Sequence, residues 1–494
     1  MTIPPQQADI VRFLTSLSGA EPKETHISAV FIGKDTVWKL KKAVHMPFLD
    51  FSTLQSRHKF LMRELEINRP NAPGIYRDVV ALVRRQDGSI EFGDGPAADW
   101  VLRMAPVPAG DFLDIIAERG GLTPALLDAL GDCVASYHAR LPATPGWDSA
   151  GALLCITRGN AQSALAAGLP APRVEAWQQR MTATIEARQA WLTARAAAGF
   201  VRRCHGDLHL GNLCLWEGAP VAFDALEFDE TMATIDTGYD LGFLLMDLDR
   251  RVGRAAANRV MNRYVARTGD AEATGGLPMF LSQRAMIRAH VLAATAQPDK
   301  ADAYLRSAEG YLLPRPAFVL GIGGLQGTGK STIARRIAPD LGSPPGALVL
   351  RSDELRKRLH GAAPETRLPP DAYSEAANAA VNRALIDMAR AAAAGGHTVI
   401  VDSTFLNPGM RRDLEAAASD ASVPFIGVWL QAPPPVLEQR IRARQGDASD
   451  ATVEVLRLSA AADPGAGDWV PVDASDGDAA ARAVRRAVAA ATAG

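Results

Sequence analysis

Apolar and polar positions change their rhythm twice along this chain. THISAVFIGKDTVWKLKKAV (25–44) reads as two β-rich runs around Gly33-Lys34-Asp35, the pattern of a hairpin. A polar-rich helical segment follows over roughly 52–69 and stops before Pro70. ALVRRQDGSIEF (81–92) repeats the hairpin pattern with Asp87-Gly88 at its turn, and DWVLRM (99–104) reads as a further strand. The first hundred or so residues therefore predict a small antiparallel sheet with one helix. From about 111 long Ala/Leu-rich helical segments take over. Short strands and tight turns interrupt them over 200–228, and the helices resume over 238–312.

LLPRP (312–316) ends that region, because Pro314 and Pro316 both block helix continuation. After it AFVLGIGG, GALVLRSD, HTVIVDST and PFIGVWL are short apolar runs, each followed by polar or helical sequence. That alternation predicts βαβ units and a parallel, doubly wound sheet. The expected division is a first domain over 1–312 with a small lobe to about 105, a linker over 313–316, and a second domain over 317–494. The alanine-rich ARAAAAGG (389–396) reads as surface helix, and no internal repeat is found.

Composition narrows the options. At 494 residues the chain exceeds what one hydrophobic core usually serves. Its 48% hydrophobic and 22% charged residues are ordinary for a soluble globular protein. The formal net charge is −2 and neither half is basic, which argues against phosphate-backbone binding as the main task. The four cysteines, Cys133, Cys155, Cys204 and Cys214, form no CxxC pair, so reduced thiols are expected. MTIPPQQADIVRF lacks the features of a signal peptide, and no uncharged apolar run is long enough to span a bilayer. A cytoplasmic protein with no nucleic-acid or membrane partner is expected.

Two stretches carry chemistry. In CHGDLHLGNLCLW (204–216), Asp207 stands five residues ahead of Asn212, and Asp224 follows in VAFDALEFD. Phosphoryl transfer from ATP needs a carboxylate near the acceptor hydroxyl, oxygen ligands for Mg²⁺ and a lysine on the phosphate oxygens. Asp207 suits the first role, and Asn212 and Asp224 the second. Gly206 and Gly211 make a long helix improbable there, so His205 reads as a structural hydrogen-bonding group rather than a metal ligand paired with His209. In TVWKLKK, Lys39 and Lys41 alternate onto one face while Lys42 points away. Lys39 is the preferred phosphate-contacting lysine and Lys41 the reserve. Its carboxylate partner is expected in RELEIN, where Glu64 and Glu66 lie about 200° apart on a helix; Glu64 is favoured.

The HGDxxxxN form resembles the aminoglycoside phosphotransferase-like kinases over roughly residues 20–310. Gly206 stands where protein kinases usually have Arg, and no G-x-G-x-x-G occurs in the first hairpin, which leaves the plainer IGKD turn or adjacent backbone to cover phosphates. The resemblance implies an α+β protein-kinase-like bilobal fold and adenine binding near Arg103-Met104-Ala105. It also implies that Asp236 or Asp240 braces the catalytic loop by accepting backbone N–H bonds; either could instead cap its helix.

The second stretch, GLQGTGKST, matches G-x-x-x-x-G-K-[ST] directly after an apolar strand. Gly324, Gly327 and Gly329 let backbone N–H groups face the phosphates, Lys330 reaches the β- and γ-phosphates, and Ser331, followed by Thr332, supplies a Mg²⁺ ligand. Asp353 lies just beyond the second strand, ahead of Arg356, Lys357 and Arg358, and Asp402 ends the third strand. Arg440 and Arg444 stand at i, i+4. These features resemble the small-metabolite P-loop kinases, the group with gluconate, shikimate and adenylylsulfate kinases, and most nearly the AAA_33-type ATP-binding domain found behind aminoglycoside phosphotransferase-like domains. The resemblance covers about 317–494 and implies an α/β P-loop kinase fold. By it Asp353 would contact the acceptor hydroxyl, Asp402 would hold the Mg²⁺ water shell, and Arg440 and Arg444 would form a lid.

The expectation is a bifunctional phosphotransferase using ATP and Mg²⁺ on hydroxyl-bearing small molecules. The rivals are a nucleic-acid 5′-hydroxyl kinase in the P-loop domain, or one nucleotide site acting as a sensor for the other.

Overall fold

Strands β1 (Lys23–Glu24), β2 (Ser28–Ile32) and β3 (Val37–Lys41) open an antiparallel sheet that β6 (Tyr76–Arg84), β7 (Ile90–Phe92) and β8 (Ala97–Met104) complete, in the order β1-β2-β3-β8-β6-β7. The computed structural model describes residues 3–46, 49–443 and 448–492. A short pair, β4 (His45–Met46) and β5 (Leu49–Asp50), lies beside the sheet in sequence. Alternation along β3 sends Leu40 into a core with Ala29, Phe31, Leu82 and Val101, and Trp38 packs against it. Lys39 and Lys41 therefore leave from the opposite face.

One helix was expected in this region and two are present. The additional one, α1 (Ala8–Ser18), seats Ile10 and Leu14 on the Phe31–Leu40 core and stops at Gly19, whose φ of 73° is left-handed. The second, α2 (Leu54–Asn68), starts at Thr53, which accepts a hydrogen bond from the Ser56 amide at 3.1 Å. It buries Leu61 with Leu102 and Tyr76, on the face that carries the lysines.

The chain divides into two compact units: Met1–Ala129 with Ser136–Ala152 and Ala190–Asp240, and Leu130–Ala135 with Leu153–Gln189 and Leu241–Gly494. Helices α3 (Leu113–Glu118), α4 (Pro124–Arg140), α5 (Ser149–Ala166), α6 (Ala171–Ala187) and α7 (Gln189–Ala197) precede two small antiparallel pairs. These are β9 (Val201–Arg203) with β12 (Thr234–Asp236), and β10 (Leu213–Trp216) with β11 (Ala219–Ala222). The short α8 (Glu230–Ala233) leads into β12; α9 (Thr237–Arg251), α10 (Arg254–Thr268), α11 (Leu277–Ala294) and α12 (Pro298–Tyr311) follow.

The C-terminal sheet has five parallel strands in the order β14-β15-β13-β16-β17. They are β13 (Val319–Gly324), β14 (Leu348–Arg351), β15 (Val399–Asp402), β16 (Phe425–Gln431) and β17 (Val470–Asp473). Four were expected. The first three are buried throughout, as strands covered on both faces must be, which is why they read as unbroken apolar runs. The fifth, β17, holds Pro471 and buries only Val472, so it left no such run. Helices α13 (Lys330–Ile337), α14 (Ser352–Leu359), α15 (Glu375–Ala394), α16 (Pro408–Asp420), α17 (Pro434–Ala443), α18 (Val453–Ala461) and α19 (Gly477–Thr492) complete this region. Among the described residues no helix is long and apolar enough to cross a membrane, and the four cysteines form no disulfide.

Candidate active sites

In the first unit, β3, α2 and the segment after β11 bring five charged groups together. Lys39 Nζ lies 2.7 Å from Glu64 Oε1 and 2.6 Å from Asp224 Oδ1. Lys41 Nζ lies 2.9 Å from Glu64 Oε2 and pairs with Glu227. Glu64 is 0% exposed and takes one lysine on each oxygen; Glu66 is exposed and pairs with Arg63. Both lysines expected on this face therefore share one carboxylate, and Lys39 is the one that also meets Asp224.

Three carboxylates facing two ammoniums cannot all keep ordinary acidity in a buried site. Burial disfavours the charged form of Glu64, but Lys39 and Lys41 outweigh it and hold its pKa down to about 2. Burial works against Lys39 as well, and Asp224, Glu64 and Glu227 overcome it to keep the ammonium well above its usual range. Glu227 goes the other way: burial pushes its carboxyl up against the pull of Lys41. The sequence reading missed Glu227, although it stands three residues after Asp224 in FDALEFD.

Asp224 has a φ of 59°, a left-handed conformation that a non-glycine residue rarely adopts. Its neighbours impose it. The Asp224 amide donates to the Tyr76 hydroxyl at 2.9 Å, and the Ala225 amide to Asn68 Oδ1 at 2.8 Å. One strand and one helix thus fix the direction of this carboxylate.

The catalytic-loop candidates lie close by in sequence and are held from below. Asn212 Nδ2 donates to both the backbone oxygen and Oδ2 of Asp207, each at 2.9 Å. The His205 and Gly206 amides donate to the two oxygens of Asp240, at 3.1 and 2.9 Å, and His138 Nε2 reaches Oδ2 at 3.0 Å. Of the two aspartates considered, Asp240 braces the loop. Asp236 takes the Arg195 guanidinium at 2.7 and 2.9 Å and the Gly238 amide. His205 Nε2 lies 2.9 Å from the Phe223 oxygen, and burial lowers the imidazole pKa, in keeping with a neutral structural group. Gly206 at φ 81° would bring a Cβ to 3.1 Å from Leu226 Cβ, so no larger residue enters without displacing that chain. Arg103 is engaged with Asp78 at 2.7 and 2.6 Å, and the IGKD turn closes through Gly33 N–H to Thr36 at 2.9 Å.

In the second unit the loop between β13 and α13 has positive φ at Gly324 (132°), Gly327 (84°) and Gly329 (86°). A Cβ at Gly324 would stand 2.4 Å from the Leu430 oxygen, and one at Gly327 2.7 Å from the Leu437 oxygen. Lys330 Nζ folds onto the Gly324 and Leu325 oxygens at 2.9 and 3.0 Å. Ser331 Oγ donates to Asp402 Oδ2 at 2.5 Å, and Thr332 is exposed in the first turn of α13. Arg351, not singled out from sequence, donates to Asp402 Oδ2 at 3.3 Å and to Glu354 at 2.7 Å.

Asp353 is the second residue of α14, not its N-cap, which is Arg351. Burial pushes its carboxyl up, Arg351 opposes and Asp402 adds to the rise. Arg440 donates to backbone oxygens of Gly327 (3.4 Å), Ala474 (2.9 Å) and Ser475 (2.8 Å), tying the glycine loop to the β17–α19 connection. Arg444 lies outside the described residues.

Both donor sets fit a hard divalent cation. Asn212 with Asp224, and Ser331 with Asp402, offer amide, hydroxyl and carboxylate oxygens and no sulfur or imidazole, the preference of Mg²⁺. The glycine loop fits a nucleotide's phosphates: Gly324 and Gly327 leave no room for a Cβ against the Leu430 and Leu437 backbone, and Gly329 supplies the left-handed turn into the N-terminus of α13.

Residues 94–275 match the model of the phosphotransferase enzyme family, and residues 319–462 that of an AAA domain. Uncharacterized proteins of Mycobacterium tuberculosis and Mycobacterium bovis are 28% identical over 455 residues, 89% of this chain and 89% of theirs. Among solved structures the chain is similar to a choline/ethanolamine kinase family protein from Mesorhizobium loti (13% identity, 62% of this chain and 95% of that one, TM-score 0.38). It is also similar to a gluconokinase from Sinorhizobium meliloti 1021 (21%, 36% and 95%, TM-score 0.25). Along this chain a region matching the phosphotransferase enzyme family thus precedes a region matching an AAA domain.

Proposed function

We propose that the chain is a bifunctional phosphotransferase, with each domain passing the γ-phosphate of ATP to a hydroxyl group of a small molecule. The domains are taken as 1–312 and 317–494. The observation that carries the reading is the duplication: Lys39 with Glu64 and Asp224, beside the Asp207–Asn212 pair that the Phe223 amide joins through the Asn212 oxygen, supports one site, and Ser331 with Asp402, near Lys330 and Asp353, supports another, with no residue shared.

At the first site Lys39, steadied by Glu64, holds the phosphate oxygens. Asp207 accepts the proton of the acceptor hydroxyl, and its amide partner Asn212 keeps it aimed. Asn212 and Asp224 would hold Mg²⁺. At the second site Lys330 leaves the loop oxygens for the phosphates, Ser331 and Asp402 would hold the metal, and Asp353 receives the acceptor hydroxyl. A bound Mg²⁺ neutralises charge on the phosphates at either site.

The test is an acceptor screen of small alcohols and sugars on wild type, Asp224→Ala and Lys330→Ala. Each variant is expected to abolish one set of products and leave the other intact. A folded Lys330→Ala protein that loses both activities would instead favour a P-loop sensor controlling the first site, with reciprocal coupling of the two nucleotides.

A further inference from the structure

The α14 face that carries Asp353 also carries Lys357, one turn further on. Four residues make a rise of about 6 Å on the same side of a helix. Lys357 is 1% exposed, and its ammonium donates to the Thr366 oxygen at 2.6 Å and pairs with Asp450. The same Asp450 oxygen accepts the Tyr373 hydroxyl at 2.5 Å and the Leu368 amide at 3.1 Å. An ammonium, a phenol and a backbone N–H from three separate segments converge on one anionic oxygen. Beside them Arg356, also buried, stacks over the Tyr373 ring at 4.7 Å, and its Nε has no hydrogen-bond partner. The residue before Asp450, Ser449, hydrogen-bonds the Asp353 carboxylate.

Ser449 and Asp450 thus offer a hydroxyl to the proposed acceptor-contacting aspartate and a carboxylate to a ready-made anion cradle. We infer that this dipeptide is an internal occupant of the acceptor site in the P-loop domain. The acceptor that displaces it is a small molecule carrying a hydroxyl and, about one helical turn away, an anionic carboxylate or phosphate group. The inference rests on the reading of Asp353 as the acceptor-contacting residue. It adds the chemical class of the acceptor and the residues that select it: Lys357, Tyr373 and the Leu368 amide.

A simple ion pair between Lys357 and Asp450 would need neither of the other two donors. Three donors spent on one oxygen exceed what holding a loop requires, and they recreate the coordination an oxyanion finds in a binding site. Without Asp450, Lys357 would remain as a buried, uncompensated charge, a strong attraction for an external anion.

The full-length chain is saturated with Mg²⁺ and a non-hydrolysable ATP analogue, so that both nucleotide sites are filled, and titrated calorimetrically with inorganic phosphate, glycerate and glycerol. Asp450→Asn is expected to bind phosphate or glycerate at least about tenfold more tightly than wild type, since the competing carboxylate charge is gone. The double variant Asp450→Asn/Lys357→Met is expected to lose that gain by about ten- to a hundredfold, the worth of a charge-assisted hydrogen bond. Removing both partners leaves no buried charge alone, which keeps the double variant folded, and circular dichroism verifies it. Tightening for phosphate alone assigns a phosphorylated acceptor, and tightening for glycerate alone a hydroxy acid. Unchanged affinity for both anions in Asp450→Asn, an equal gain for neutral glycerol, or a gain that survives loss of Lys357 overturns the inference. Binding is read without turnover. Lys330-dependent phosphoryl transfer with failed anion binding therefore removes this inference alone, whereas absent transfer removes the function beneath it.

Discussion

Replacing Glu64 by Gln tests the charged cluster that organises the first site. The side chain keeps its shape, but both lysines lose the carboxylate they share at 2.7 and 2.9 Å. In the folded protein Lys39 and Lys41 overcome burial to hold this carboxyl at about 2, against an ordinary value of 4.5. At about 1.4 kcal/mol per tenfold change in proton affinity, that difference corresponds to roughly 3 kcal/mol of stability at pH 7. Removing one partner of a buried ion pair costs about 3–5 kcal/mol by independent reasoning. The lower figure is expected here. Glu227, which burial and Glu64 push up against the pull of Lys41, can ionise more fully once Glu64 is neutral and offset part of the loss. Because the folded-state pKa is depressed, the contribution of Glu64 is complete above pH 4.5 and fades as pH falls toward 2. Urea denaturation of wild type and Glu64→Gln, compared at constant m, is therefore expected to show a gap of about 3 kcal/mol at neutral pH. That gap narrows through the acid window. A gap below about 1 kcal/mol at pH 7, or one that does not change with acidification, would refute the account of the cluster.

Asp207→Asn is expected to keep ATP binding at the first site and to lower its phosphoryl transfer roughly 10²–10⁴-fold, because an amide cannot take the hydroxyl proton yet still accepts from Asn212. Asp240→Asn removes the negative charge that receives the His205 and Gly206 amides. It is expected to cost about 2 kcal/mol or more in thermal or urea unfolding and to lower first-site kcat with nucleotide affinity little changed. Gly327→Ala would press a Cβ against the Leu437 backbone from a left-handed conformation, so calorimetry is expected to show loss of nucleotide binding at the P-loop while first-site turnover persists.

Elements that bury whole faces announced themselves in the sequence. Strands β13, β14 and β15 are covered on both sides and read as unbroken apolar runs. The β2–β3 hairpin alternates because one face meets the Phe31–Leu40 core and the other carries lysines. Helix α1 was legible and passed over: Ile10 and Leu14 stand four apart, and Gly19 closes the last turn. Strand β17 was not legible. It pairs with β16 at one end of the sheet, holds Pro471 and turns only Val472 inward, too little to make a period. The glycine loop was fully legible, since its chemistry is local: strand, tight turn and helix N-terminus adjoin in the chain.

The first site was legible in kind and not in detail, and the difference is one of sequence separation. Alternation put Lys39 and Lys41 on one face, but the residue that tells them apart, Asp224, lies 185 positions away. Asp236 and Asp240 open the same helical region; which one receives the loop amides depends on the β9–β12 pairing, which gives Asp236 to Arg195 instead. For the same reason the resemblance implied a lid of Arg440 and Arg444, while the Arg440 guanidinium is spent on the carbonyls of Gly327, Ala474 and Ser475. Glu227 is the exception, because counting charge would have found it. Two lysines on a face that packs against a helix cannot be buried with a single carboxylate between them, since an unpaired ammonium there would cost several kcal/mol. Glu64 is shared between both lysines and Asp224 meets Lys39, so a third acid was required near Lys41. FDALEFD offers it three residues after Asp224, and the Lys41–Glu227 pair is where it stands.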